Sequence, residues 1–247
     1  MDPVAIEFAG VTKVYQRRFS RARIPALSDV SFEVGRGELC ALLGPTGAGK
    51  TTGINILMGF ICADQGQARV LGYAPGDVRA KERIGFLPEN STFYPYLNRE
   101  KLLHFHLRLS GRQCADARLV IADLLARVKL DGNESLKIGK YSRGMVQRLG
   151  IAQALIGDPE LLVLDEPTSG LDPDGRKEVC DLIVALKAEG KTIFLCSHVL
   201  SEMEQICDRV IIIDRGRLVG AGTLQEILTE GHRWKSLLTT CRISSQP

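Results

Sequence analysis

No stretch of this 247-residue chain is apolar for long enough to cross a bilayer. The longest candidate, residues 54–63, is interrupted by Asn55 and Gly59. It reaches about half of the roughly 20 residues that a spanning helix needs. A soluble chain is expected, and any work at a membrane implies a second polypeptide that crosses it. The opening residues, MDPVAIEF, lack a basic segment followed by an apolar one, so no signal peptide is expected. Excess charge is also missing: the formal net charge of +3 gives no pointer to nucleic acid. No CxxC pair occurs among Cys40, Cys62, Cys114, Cys180, Cys196, Cys207 and Cys241. That spacing argues against a metal site. The cysteine count is odd and most lie in apolar runs such as Phe194-Leu195-Cys196. Reduced, buried thiols in a reducing compartment are therefore expected. Internal repeats and low-complexity tracts are absent too.

What is present is a pattern of short apolar runs alternating with amphipathic stretches. Residues 4–8, 39–43, 69–71, 161–164, 192–196 and 210–213 read as strands. Several are apolar on both faces, as in a sheet covered by helices. Residues 50–59, 174–189 and 199–206 read as helices. In the second, Val179, Leu182, Ile183 and Leu186 recur at helical spacing. Asp172-Pro173 supplies its cap and first-turn proline, and Gly190 its stop. The spacing predicts an α/β fold with mostly parallel strands. From about residue 99 to 157 the pattern is helical only (Leu102, Leu103, Phe105, Leu109, then Val120, Ile121, Leu124, Leu125, Val128). This predicts an all-helical insert. The polar tail, residues 231–247, is expected to be poorly ordered. His104 and His106, two residues apart in a helical stretch, face different sides and do not form a metal pair.

Three motifs carry chemistry. Gly44-Pro45-Thr46-Gly47-Ala48-Gly49-Lys50-Thr51 fits G-x4-G-K-[ST] between an apolar strand and a helix. Glycines let backbone amides wrap phosphates, and the helix N-terminus points its positive dipole end at the same anion. Lys50 supplies a charge to the β- and γ-phosphates, and Thr51 a hydroxyl to Mg²⁺. Next, the apolar run 161–164 leads into Asp165-Glu166. A buried parallel strand ending in two acids places them at the carboxyl edge of the sheet, where open α/β folds bind ligands. Asp165 suits Mg²⁺, and Glu166 suits orienting or deprotonating an attacking water. Third, Ser142 stands just before an amphipathic helix and reads as its cap, leaving amides of the first turn to an anion.

With the phosphate loop, the Tyr141-Ser142-Arg143-Gly144-Met145 helix start, the acidic strand, Ser169-Gly170-Leu171-Asp172 and His198 in that order, the chain resembles the nucleotide-binding subunits of ABC transporters over residues 4–230. The resemblance implies a P-loop NTPase (RecA-like) core, mainly parallel, at 1–86 and 159–230. It also implies an N-terminal antiparallel β-subdomain and a helical subdomain with the signature helix at 87–158. The implied activity is ATP hydrolysis with Mg²⁺ in a head-to-tail dimer, a homodimer or a pair with a similar chain. The dimer would drive movement of a substrate through a separate integral membrane permease, at the cytoplasmic face of the cell membrane. Residue by residue, Tyr15 resembles the aromatic that stacks on adenine. Gly44 to Thr51, with Thr52, cradles the phosphates, and His198 resembles the switch histidine at the γ-phosphate. Ser142 and Gly144 would serve the other subunit's nucleotide, and Asp172 resembles the aspartate that links the two sites. Arg143 and Met145 depart from the LSGGQ consensus in a way similar to export-type members. Glu89 takes the family's Q-loop glutamine position. Its carboxylate can still take a Mg²⁺ contact, and Asn90 beside it offers a substitute. A soluble, non-transport ABC ATPase and a copper-maturation type transporter subunit are the alternative readings. No nucleic-acid partner is expected. The arginines Arg17, Arg18, Arg21 and Arg23 suit either anionic lipid headgroups or a solvated loop.

Overall fold

The computed structural model describes residues 3–16, 23–111, 116–132, 136–223 and 225–226. In chain order its elements are β1 (Val4–Gln16), β2 (Arg23–Gly35), β3 (Leu39–Leu43), α1 (Lys50–Leu57), β4 (Gln65–Val70), α2 (Val78–Lys81), β5 (Ile84–Leu87), α3 (Arg99–Leu109) and α4 (Ala117–Arg127). A 3-10 turn (Ile138–Lys140) follows, then α5 (Arg143–Ala154), β6 (Leu161–Asp165), α6 (Pro173–Ala188), β7 (Thr192–Ser197), α7 (Leu200–Met203), β8 (Arg209–Asp214) and β9 (Arg217–Gly222). They fall into two compact units, residues 1–81 with 192–247 and residues 82–191.

The first unit holds an antiparallel sheet in the order β2-β1-β4, and parallel strands β7-β3-β8 with β9 antiparallel to β8. Every residue of β3 and β7 is buried, as expected for parallel strands covered on both faces. The stacked rings Phe8, Phe32 and Phe194 (centroids 4.7 and 6.0 Å apart) join the antiparallel sheet to β7. Each such buried ring contributes about 1.5–3 kcal/mol of hydrophobic stabilisation. Strands β2, β5 and β9 are not among the expected ones, and β1 and β4 extend well beyond the apolar runs that mark them. β2 buries Leu27, Val30, Phe32 and Val34, and the alternation from Val30 to Val34 was the signal for it. β9 is only half-buried. β4 runs from Gln65, well before the apolar residues 69–71, and buries Val70 alone. Its polar residues are held by the backbone ladder to β1, so no hydrophobic pattern marks them. Gly66 is required there: at φ 79°, a Cβ would lie 2.2 Å from the Gly10 carbonyl oxygen of β1.

The second unit pairs β5 with β6 in parallel and packs α3, α4 and α5 on one another, with α5 also against β5 and α6. The stretch after residue 99 is helical as its periodicity predicts. Its starts are capped by side chains: Asn98 accepts from Lys101 N (3.0 Å), Ser142 from Met145 N (3.2 Å) and Asp172 from Gly175 N (3.0 Å). Helix α5 approaches β5 closely at two glycines. A Cβ on Gly85 would lie 2.1 Å from the Ala154 carbonyl oxygen, and one on Gly150 would lie 2.5 Å from Leu87 Cδ1. Gly85→Ala forces helix and strand apart. It is expected to destabilise the chain by about 1–3 kcal/mol, the usual cost of overpacking. Thermal unfolding checks this, and an unchanged melting temperature would refute the close approach.

Of the described cysteines, Cys40 and Cys196 are buried, Cys180 and Cys207 half-buried and Cys62 exposed. Burial pushes the Cys40 thiol well up from its usual range. The expectation of buried thiols thus holds for the two on parallel strands and fails at Cys62. Cys114, Cys241, Arg17, Arg18, Arg21 and the 231–247 tail lie outside the described residues. No helix among the described residues is long and apolar enough to cross a membrane.

Candidate functional site

In the first unit, β3 runs into the loop 44–49 and then into α1. The three glycines of this loop differ in what surrounds them. At Gly44 a Cβ would meet the Ile213 carbonyl oxygen of β8 at 2.3 Å. Gly49, at φ 111°, leaves room for the Ala26 carbonyl oxygen, 2.5 Å from where a Cβ would sit. Gly47 is left-handed at φ 82° but faces open space, with nothing within 4 Å of its Cβ position. The first two are demanded by packing, whereas the third leaves an open face. The Ala48 carbonyl accepts from Gly216 N (2.8 Å), which anchors the loop to the β8–β9 hairpin. Lys50 is buried, and its ammonium donates to the Gly44 carbonyl (2.7 Å) and the Pro45 carbonyl (3.4 Å). The side chain therefore curls back over its own loop, with its charge held at the Gly44 and Pro45 carbonyls. Thr46, Gly47 and Thr51 are exposed and Thr52 half-buried on the same turn.

β7 brings His198 to this loop's edge. Leu43 of β3 pairs in register with Ser197 of β7, so Gly44 and His198 leave the parallel strands side by side. Ser197 shapes the turn through Val199 N, which donates to its Oγ (3.0 Å). Tyr15, at the end of β1, is 43% exposed with Lys13 Nζ 5.9 Å from its ring centroid. A ring face so exposed is available for stacking.

In the second unit the same register logic places the acids. Leu87 of β5 pairs with Leu164 of β6, so Pro88-Glu89 and Asp165-Glu166 emerge from one carboxyl edge. Asp165 and Glu166 are both buried, while Glu89 is exposed. Glu166 holds φ 50°, a left-handed conformation that costs a residue with a side chain about 1–2 kcal/mol. Its carbonyl accepts from Ser169 N (3.1 Å), which closes the turn. Backbone strain kept at a buried acid is the pattern of a functional site. At the start of α5, Gly144 differs from the packing glycines: a Cβ there would meet only Ser142 Oγ, at 4.0 Å. Neither crowding nor a left-handed φ calls for glycine at 144, so the space above it is open to an approaching group. Asp172 is committed locally as the cap of α6. Beside Glu89 opens a groove of about 530 Å³ lined by Phe86, Leu87, Asn90, Phe93, Tyr94 and others, with Gly150 at its floor. His104 and His106 face opposite ways as expected: His104 lines a separate cavity between α3 and α4, and His106 lines this groove. Burial lowers the His106 pKa from its usual value.

Sequence reasoning missed the loop anchors Ala26, Ile213 and Gly216, and the packing of Arg143 on Gly170. No local pattern reports a contact between residues so far apart in the chain.

A model of the ABC transporter family matches residues 27–169. An uncharacterised ABC transporter ATP-binding protein of Synechocystis sp. (strain PCC 6803) is 42% identical over 237 residues, covering 94% of this chain and 67% of the relative. A fluoroquinolones export ATP-binding protein of Mycobacterium tuberculosis is 42% identical over 212 residues (85% of this chain, 69% of the relative). A Nod factor export ATP-binding protein I of Mesorhizobium japonicum is 39% identical over 230 residues (92% and 66%). Among solved structures, an ATP-binding subunit of an ABC transporter superposes with a TM-score of 0.80 at 28% identity, covering 97% of this chain and 98% of that one. A dimeric bacterial ABC transporter cassette superposes with a TM-score of 0.79 at 25% identity (89% and 98%).

Proposed function

Because the chain belongs to the ATP-binding subunits of ABC transporters, we propose that it binds and hydrolyses ATP in a head-to-tail dimer to drive export through a separate membrane permease. The observation that carries the reading is the phosphate loop. A buried ammonium, an open face at Gly47 and the N-terminus of α1 belong to one loop, an arrangement suited to a polyphosphate. Tyr15 stacks on the base, and Lys50 with the loop amides holds the phosphates. Glu166 takes the proton of the attacking water, and His198 donates to the γ-phosphate. Thr51, Asp165 and Glu89 offer hydroxyl and carboxylate oxygens, a donor set that fits Mg²⁺. When bound, Mg²⁺ neutralises phosphate charge. Ser142 and Gly144 serve the nucleotide held by the second copy, where the open face of Gly144 admits a phosphate close to the backbone. Asp172 belongs to the loop that links the two sites. The groove beside Glu89 receives a cytoplasmic helix of the permease. Closure of the ATP-bound dimer becomes work because ATP binds the closed state more tightly than the open one. Export is favoured over import by the Arg143-Gly144-Met145 signature and by the export relatives. The subunit then works at the cytoplasmic face of the membrane.

The test is ATP-dependent association. Light scattering of the purified chain should show dimer with ATP and Mg²⁺ and monomer with ADP, together with phosphate release. A monomer under all conditions, without turnover, would sink the proposal. In the same assay Tyr15→Ala should weaken ATP binding by about 1–3 kcal/mol, the worth of one base stack. Tyr15→Phe should leave it unchanged. An equal loss in both variants would argue that the hydroxyl, not the ring face, is what matters.

A further inference from the structure

The signature departs from consensus at Arg143, and the structure gives that side chain a place. A Cβ built on Gly170 would lie 2.4 Å from Arg143 Cζ, 2.5 Å from Nη1 and 2.8 Å from Nε. The guanidinium therefore covers the face of Gly170 from which any side chain would project. Gly170 sits at φ 68° in the loop that leads from Glu166 to Asp172. The rest of that loop is pinned from within. Ser169 N donates to the Glu166 carbonyl (3.1 Å) and Leu171 N to the Thr168 carbonyl (3.3 Å). Thr168 and Leu171 are buried, the Leu171 carbonyl accepts from Arg176 Nε (3.0 Å), and Asp172 caps α6. Gly170 is exposed, and Arg143 is the side chain laid over it.

We propose that Arg143 is a positioning residue: its guanidinium, resting on Gly170, ties the N-terminus of α5 to the loop that begins at Glu166. The role follows from the two ends of the tie. Arg143 is the first residue of α5, next to its cap Ser142, so movement of that helix start carries the guanidinium with it. The other end is a turn closed by the Glu166 carbonyl, so displacement at Gly170 is passed through the adjoining Ser169 N–H, which donates to that carbonyl, to the strained acid. A planar head suits the task because it covers a glycine backbone face-on, whereas a lysine ammonium presents a strongly hydrated point. The inference rests on the ATPase reading for its consequence and on the contact alone for its geometry.

Hydrogen exchange on the full-length chain without nucleotide tests the contact. The amides to follow are those of Ser169 and Leu171. Arg143→Ala should speed their exchange by about tenfold, as expected for local opening, with the melting temperature unchanged. Arg143→Lys should resemble Arg143→Ala. Gly170→Ala carries backbone strain of its own, so the coupling is what counts. It should speed exchange much less in the Arg143→Ala background, where no guanidinium is left to displace, than in the wild type. In steady-state hydrolysis, Arg143→Ala should lower kcat several-fold and leave KM for ATP unaltered. Unchanged exchange in Arg143→Ala, or additive effects of the two substitutions, would overturn the contact. Faster exchange with an unchanged kcat would overturn the positioning role. A wild-type chain that does not hydrolyse ATP would instead bring down the ATPase reading, a result the exchange data are independent of.

Discussion

Glu166→Gln is expected to lower the hydrolysis rate by about 10²–10⁴-fold, the range that a positioned general base contributes. The substitution is close to isosteric. The turn that holds residue 166 at φ 50° is closed by its backbone carbonyl, which the variant retains. Gln keeps the volume in a site where Glu166 is only 8% exposed. What is lost is a carboxylate able to take a proton. ATP binding, which rests on the phosphate loop, should persist, and the dimer should accumulate because the step that releases it no longer occurs. Single-turnover phosphate release, with light scattering for the dimer, measures both. Hydrolysis close to the wild-type rate would show that Glu166 is not the base. Normal binding with no dimer would point to damage at the neighbouring loop.

Lys50→Ala should act earlier, on binding. Charge-assisted hydrogen bonds to phosphate are worth about 1.5–3 kcal/mol, so ATP affinity should fall by about 10- to 100-fold. A second effect has the same sign. The ammonium donates to the Gly44 and Pro45 carbonyls, and without it the loop loses two internal ties and part of its preorganisation. Lys50→Arg should not rescue, because a planar fork cannot replace a compact ammonium curled into a buried turn. Titration calorimetry with ATP checks both variants. Retained affinity in Lys50→Ala would move the phosphate site away from this loop.

The two predictions differ in how far the sequence alone supports them. Gly44 to Thr51 between an apolar strand and a helix, and Asp165-Glu166 at the end of another, were legible because both are local. A strand buried on both faces must be continuously apolar, and the polar residues that break the run mark its edge. The helix starts at Ser142 and Asp172 were legible for a similar reason, since a cap and the amide it satisfies lie three residues apart. The polar strand β4 was not legible beyond its apolar end, because its partners are backbone groups of β1.

At the signature, the sequence by itself determined that Ser142 caps a helix and that Arg143 departs from consensus. It also determined the identity of the family, through motifs whose parts are adjacent in the chain. Only the tertiary structure decided that Gly44 and Gly49 are packing glycines while Gly47 and Gly144 face open space. It alone placed Gly44 beside His198, and Arg143 over Gly170. Local rules operate over a turn of backbone, whereas strand register and side-chain contact are set by the burial of apolar faces between segments far apart in the chain.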